Sequence, residues 1–399
     1  MLYGYHSEQR QEPGGRLVDQ YQIAGSTSYP PIERSSFNSR LVSFKRWAQG
    51  DLRTLVPIHT DRTIIKNIFR TITEFYATQG ATRRITISGN DDHAFHSQHV
   101  IRHTTSQLIR NLVTFGFTAL LVEDGHLIVP DPIHSFPVAD GSYIIVTPVA
   151  NKQGSPDHAI IRRIMIDPEE PIYLERRKAS GSSIGELLDS HERKGTVFHM
   201  ATEGLFGESV IAHVATLVRE ILNRESKLSR ALDKQAAPHL ILPAALVEKI
   251  EAMPDKYQLA ETGSYIGTNE GDVQPEYVTW NGNFDEQRKS SDDMLIHCLI
   301  QAAISPVLIS PALVSASATL GGLASGTALR RLAATTAERI ESYQSIIHIQ
   351  LIDAINKAIE DTGKLNNHPA STLQYNDLDW GPALTFPEDA DLSGASSVS

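Results

Sequence analysis

Cysteine is almost absent. Cys298 stands alone among 399 residues, so an intrachain disulfide framework is excluded and a reducing compartment suits the composition. Its apolar helical surroundings read as those of an inert core thiol. A cationic excess is missing too: 36 Lys and Arg face 47 Asp and Glu, for a formal net charge of −11. That argues against a dedicated nucleic-acid or membrane-surface binder. The opening residues, MLYGYHSEQRQEPGG, hold no basic stretch leading into an apolar run, so no signal peptide is expected. No internal repeat is found. The largest absence is local, because no Lys, Arg, Asp or Glu occurs from Met294 to Leu329. A membrane span needs about 20 apolar residues, but Pro306, Pro311, Gly321, Gly322 and many Ser and Thr interrupt this run. Backbone left unpaired in lipid would be costly, so the run reads as a buried helix end and then a loop.

The stretch just after that run organises the chain. With 41% hydrophobic residues a substantial core can form, in one large or two to three smaller domains. Leu329, Leu332, Thr336, Ile340, Tyr343, Ile347, Leu351, Ile355 and Ile359 alternate steps of three and four. They make one buried stripe of a long helix. Ser325 suits its N-cap, Gly363 its stop, and Pro369 lies beyond. Such a helix is roughly 50 Å long, more than a typical globular domain needs.

Upstream, residues 1–35 are rich in Gly, Pro, Ser and Gln and read as a flexible arm. Helices are expected at Ser36–Gln49, at Asp61–Tyr76 with Gly80 as its stop, and at His99–Val113 closed by Gly116. A strand is expected at Arg84–Ser88. Phe117–Glu123 and His126–Pro130 flank Asp124-Gly125, a pair suited to the positive φ angles of a type I′ hairpin turn. Four β-like runs come next, Tyr143–Val149, Ala159–Asp167, Pro171–Lys178 and Thr196–Met200, giving a small α+β domain over 36–206.

Gly207–Ala236 is a second long helix, apolar from Val210 to Leu222 and then narrowing to Leu228, Ala231 and Leu232 among charges. Phe284–Ile304 is a third, with Asn283 and Glu286 placed as a capping box. Its polarity is reversed: Glu286–Asp293 is polar and Met294–Ile304 is apolar. The two read as an antiparallel pair with buried ends toward a body and polar ends toward 237–283, which holds β-like His239–Leu242 and Tyr277–Trp280. Thr372–Leu378 and Ala383–Phe386 suggest closing strands, and 387–399, acidic then Ser-rich, reads as a disordered tail.

This order of parts, with Gly207-Glu208-Ser209 opening one helix, Ala237-Pro238 ending it, and Ser325-Gly326-Thr327-Ala328-Leu329-Arg330 starting the long one after an uncharged loop, resembles the portal (head-to-tail connector) proteins of tailed bacteriophages. The similarity runs from about Ser36 to Pro387. It implies an α+β, portal-like fold: a mixed α/β wing, stem helices at 207–236 and 284–304, a small β-containing clip at 237–283, a tunnel loop at 305–324 and a long kinked helix with closing strands at 325–386. It implies a homo-oligomeric ring, usually a dodecamer, at one capsid vertex of the virion, assembled in the host cytoplasm. The tunnel loop would place Val307, Ser310, Leu313, Ser315, Ser317 and Thr319 at the DNA channel. Lys227, Arg230, Lys234, Arg288 and Lys289 would be the channel-facing charges of the stem. Implied partners are further copies of the chain, the terminase large subunit, major capsid or scaffolding protein, a head–tail adaptor and passing double-stranded DNA, with no membrane. Neither catalysis nor a cofactor is implied. Against larger members, the sequence runs only a short way past the strand near Tyr375, so a helical crown is expected to be absent or vestigial.

Rival readings rest on single motifs. Gly181-Ser182-Ser183-Ile184-Gly185 matches the nucleophile elbow of a serine hydrolase. Yet its preceding strand carries Glu175, Arg176, Arg177 and Lys178, where an elbow comes after a buried apolar strand. A polar turn is the blander reading. His93, His96, His99 and His103 form the densest histidine run, the last two four residues apart as metal ligands on a helix are. No Glu accompanies them in the H-E-x-x-H manner, and a solvated helix start accounts for them equally.

Overall fold

The computed structural model describes residues 21–23, 27–29, 35–55, 66–81, 86–87, 91–137, 142–150, 156–165, 171–180, 183–204, 206–236, 239–243, 264–268, 276–278, 284–309, 326–362, 364–365, 368–369, 372–374, 378–380 and 384. The chain forms two units, one of Met1–Thr54, Asn67–Ala215 and Leu299–Ser399, the other of Leu55–Lys66 and Thr216–Cys298.

In the first unit β1 (Tyr21–Ile23) and β2 (Thr27–Tyr29) precede α1 (Ser35–Gln49), α2 (Ile68–Ala81), β3 (Thr86–Ile87) and α3 (Asp91–Phe115). α2 differs from expectation at both ends. It starts after Asn67, whose Oδ1 accepts the backbone N–H of Arg70 at 3.0 Å, as an N-cap does. Gly80 does not stop it. A Cβ there would lie 2.6 Å from Ile109 Cδ1, so the missing side chain leaves room for the Ile109 side chain of α3. Of the expected helix start, residues 61–65 lie outside the described residues.

β4 (Phe117–Glu123) and β5 (His126–Ile128) form the expected hairpin. Asp124 and Gly125 have φ of 50° and 76°, the two left-handed residues a type I′ turn requires. A larger sheet of order β2-β1-β10-β9-β8-β7-β6 is completed by β6 (Ser135–Pro137), β7 (Ser142–Ala150), β8 (Pro156–Met165), β9 (Ile172–Ser180) and β10 (Ser183–Arg193). β11 (Gly195–Ala201) then returns to pair with the other edge of β4. Ala119, Leu121, Tyr143, Ile145, Ile164, Ile172 and Val197 from both sheets form one buried cluster.

β10 carries no alternation by which to read it, because 186–193 are exposed throughout. Ser183 pairs with Ser180 across a β9–β10 hairpin, so the Gly181–Gly185 motif leads from strand to strand. A nucleophile elbow needs a strand running into a helix, and the hydrolase reading fails on that geometry, because Ser183, the motif's central serine, opens the strand β10. Residues 21–29, read as part of a loose arm, supply β1 and β2, and β1 runs parallel to β10.

The second unit takes most of α4 (Val210–Ala236), which starts in the first, then a three-stranded sheet and most of α5 (Phe284–Gln301). In that sheet β12 (His239–Pro243) pairs in parallel with β13 (Ser264–Thr268) and antiparallel with β14 (Glu276–Val278).

α6 (Pro306–Ile309) and α7 (Gly326–Thr362) return the chain to the first unit. α7 is uninterrupted over 37 residues. Ala333, Thr336, Ile340, Tyr343, Ile347, Leu351, Ala354, Ile355 and Ala358 are buried where it lies on α2, α3, β4 and β11. Its far half is tied to the chain's end. Asn356 exchanges hydrogen bonds with the backbone of Leu373, at 2.7 and 2.9 Å, and Trp380 Nε1 donates to His348 Nδ1 at 2.7 Å. β15 (Lys364–Leu365) pairs with β16 (His368–Pro369), and β17 (Leu378–Asp379) with β3. Of the closing strands expected over 372–378 and 383–386, only 378 lies in a strand among the described residues, while 372–374 are irregular.

Candidate functional site at the start of the uncharged segment

The uncharged run leaves the helical body at the end of α5, and the backbone there is held by an unusual set of bonds. Ala303 N donates to Ile300 O at 2.9 Å, and Ile304 N to Leu299 O at 2.8 Å. These are the paired bonds of a Schellman stop, in which the intervening residue is left-handed and is usually glycine. Here it is Ala303, at φ 55°, and Leu299 and Ile304 are both buried. No glycine marks this stop in the sequence, and for that reason the pattern predicts a helix continuing to Ile304.

α2 and α7 close over the stop. The Tyr76 hydroxyl donates to Ala302 O at 2.6 Å, with Ala303 O at 3.2 Å as a second acceptor. Burial, then Tyr343, push the Tyr76 phenol far up, with Arg339 opposing, so it stays a neutral donor. Tyr343 stacks edge-on at 5.5 Å from the Tyr76 ring. Arg339 lies over the Tyr343 ring, 5.1 Å from its centre, and its Nε donates to the Tyr343 hydroxyl at 3.2 Å. Ser305 N donates to Thr336 Oγ1 at 2.8 Å. Thr336 is fully buried, and that bond explains a Thr in the apolar stripe of α7. Cys298, one turn back, is buried and its thiol is pushed up to about 12 by desolvation, so it is inert.

Only Val307 of the six expected channel residues is described. It is half-buried in α6, a single helical turn rather than a loop, with Leu308 N donating to Ser305 O at 3.0 Å. Pro306 starts that turn, where its missing N–H is harmless. Ser310, Leu313, Ser315, Ser317 and Thr319 lie outside the described residues. Sequence reasoning misses Tyr76, Thr336 and Ala303 as the residues that build the anchor. Nothing local marks them, since each acts on a partner distant in the chain or through a backbone angle.

In the second unit α4 and α5 share a groove lined by Lys227, Leu228 and Ala231 on one side and Glu286 and Gln287 on the other. This is what an antiparallel pair requires. Arg224 spans it, donating to Glu220 on its own helix and to Ser290 Oγ on the other, each at 2.9 Å. Lys227, Arg230, Arg288 and Lys289 are exposed; Lys234 lies in α4 with its side chain outside the described residues. Asp285 and Glu286 are exposed beside them, so the cations do not form a continuous basic surface.

The Gly-Glu-Ser start of α4 is likewise built for packing. Ser209 Oγ donates to Thr114 O at 2.5 Å and accepts from Ala212 N at 3.3 Å as an N-cap. Gly207 (φ 55°) and Gly116 (φ 88°) meet backbone to backbone, so that a Cβ on Gly207 would lie 2.1 Å from Gly116 O. Of the histidine run, His103 is exposed and bonded to Gln107 at 2.9 Å, and the side chains of the others lie outside the described residues. Among the described residues no group of three or more His, Cys, Asp or Glu is placed to hold a metal ion. Nor is any helix there long and apolar enough to cross a membrane.

No protein-family model and no curated protein matches this chain. Among solved structures, one described as "Neck of empty GTA particle computed with C6 symmetry" is similar at 13% identity and a TM-score of 0.42, covering 87% of this chain and 90% of that one.

Proposed function

We propose that the chain is a portal-type subunit, a structural protein that assembles into a ring at a capsid vertex and lets double-stranded DNA pass. The observation that carries this reading is the uncharged run from Met294 to Leu329, clamped at Ala302–Ser305 between α2 and α7. A segment without charge neither holds phosphates with cations nor repels them with carboxylates, as a constriction past which DNA slides requires. The order of parts supports it further. Two long helices, each apolar at one end and charged at the other, flank a small β-sheet, and the uncharged run leads into a third long helix. In this reading α4 and α5 are the stem, 237–283 the clip and 305–324 the tunnel loop. The ring sits in the virion, assembled in the host cytoplasm, and meets the terminase large subunit, the capsid or scaffolding protein and a head–tail adaptor.

Assembly decides it. A cyclic, heterologous contact closes rings, so native mass measurement and negative-stain imaging should give rings of about a dozen copies around a central hole. A stable monomer over a wide concentration range overturns the proposal.

A further inference from the structure

In the second unit α4 and α5 carry exposed charges of opposite sign at one and the same spacing. Arg219 and Lys227 are exposed on α4, and Asp285 and Asp293 on α5. Each pair is separated by eight residues, about 12 Å along a helix. None of the four has a hydrogen bond or ion pair among the described residues. The residues midway match as well: the uncharged Asn223 stands between the cations, and Lys289 between the carboxylates. The bond from Arg224 to Ser290 Oγ fixes the antiparallel register of the two helices. By that register Asp293 lies within about 5 Å, one helical turn, of the height of Arg219, and Asp285 likewise of Lys227.

A two-fold contact of either helix with its own copy opposes like charges, which costs affinity. A head-to-tail contact between α4 and α5 opposes unlike ones, and such contacts close into rings. We propose that α4 of one copy packs against α5 of the next, with Arg219 meeting Asp293, Lys227 meeting Asp285, and Asn223 opposite Lys289. The occupant of each face is a second copy of this chain. The contact rests on the ring reading above, with the ring axis along the helices, because rotation about such an axis leaves heights unchanged. Lys227 then faces the neighbouring copy and not the channel. α7 offers no equal match: its exposed acids Glu338, Glu341, Asp353 and Glu360 include no two that stand eight residues apart.

The experiment uses two charge-reversed full chains, one with Arg219→Glu and Lys227→Glu, the other with Asp285→Lys and Asp293→Lys. The first presents acid on both faces and the second presents base on both, so neither can join its own kind. All four positions are exposed, and circular dichroism should match the parent. In native mass measurements over a concentration series, each reversed chain alone should need at least about tenfold more protein than the parent to assemble. An equimolar mixture should assemble at the parent's concentration with the two chains in equal number. A chain carrying all four changes, complementary in the opposite sense, should assemble as the parent does. Assembly of either reversed chain alone at the parent's concentration overturns the contact and leaves the ring reading standing. So does failure of both the mixture and the fourfold chain where the parent assembles. A parent that stays monomeric overturns the ring reading and this contact together.

Discussion

The Tyr76 hydroxyl reaches the carbonyl of Ala302, 2.6 Å away in space and 226 residues away in the chain. One phenol thus serves two carbonyls that the end of α5 leaves without helical partners. Tyr76→Phe keeps the ring against Tyr343 and removes only the donor. It should cost about 1–2 kcal/mol in urea denaturation and speed proteolysis between 303 and 330. Unchanged stability would mean that the carbonyls are satisfied without Tyr76.

Ala303 holds a left-handed angle at the same stop. That conformation costs a residue with a Cβ roughly 1–2 kcal/mol, partly offset in glycine by its freer unfolded chain. Ala303→Gly should therefore stabilise the protein by about 0.5–1 kcal/mol, seen as a raised thermal midpoint. A fall in the midpoint would show that the methyl contributes more by packing than it loses by strain.

Gly116 and Gly204 separate sterics from backbone angle. Both have positive φ, but a Cβ on Gly116 would sit 2.7 Å from the backbone of Glu208, whereas one on Gly204 meets nothing within 4 Å. Gly116→Ala should lose about 3 kcal/mol or more, and Gly204→Ala about 1 kcal/mol. Similar losses in denaturant titrations would refute the close backbone approach.

The distance over which each cause acts decides what the residues reveal on their own. α7 shows in the sequence because its stripe repeats over 37 residues, and the β4–β5 turn shows because Asp124-Gly125 encodes it locally. α4 and α5 show by their change from apolar to charged. The anchor does not show, because Tyr76 meets Ala302 only after folding and Ala303 stands where a glycine would have announced the stop. Gly80 misleads for a related reason: its missing side chain serves the neighbouring helix, not a turn. β10 is silent because, exposed along 186–193, it has no buried face to impose a period of two.

Acid should weaken the first unit in two stages. Burial alone would raise the Asp131 carboxyl, but Lys45, His134 and the N–H of Ile133 outweigh it and hold it below the usual range. Burial lowers His134, with Asp131 opposing. Both folded values are depressed, so in both cases the unfolded chain binds protons more readily. His134 contributes stability that is present above about pH 6.5 and lost below it, and Asp131 adds a second loss below about pH 3.9. Thermal midpoints measured from pH 8 to 3 should fall accordingly. His134→Gln should flatten the first stage relative to the parent; an identical profile would remove His134 from the account.

Duplex DNA should bind weakly. The exposed Lys227, Arg230, Arg288 and Lys289 are interleaved with Asp285 and Glu286, and the chain is acidic overall. Anisotropy titration of a short duplex at two salt concentrations should give a Kd weaker than about 10⁻⁶ M at physiological salt. Nanomolar, sequence-selective binding would identify a reader of DNA and end the conduit proposal.

α7 is also a ruler, because its helical hydrogen bonds fix its length. Thr336 holds Ser305 just after α5, while Asn356, about 30 Å further along the same axis, holds Leu373. Ile340, Tyr343, Ile347 and Leu351 keep the span between them in the core. Two backbones remote in the chain thus take their spacing from a single element.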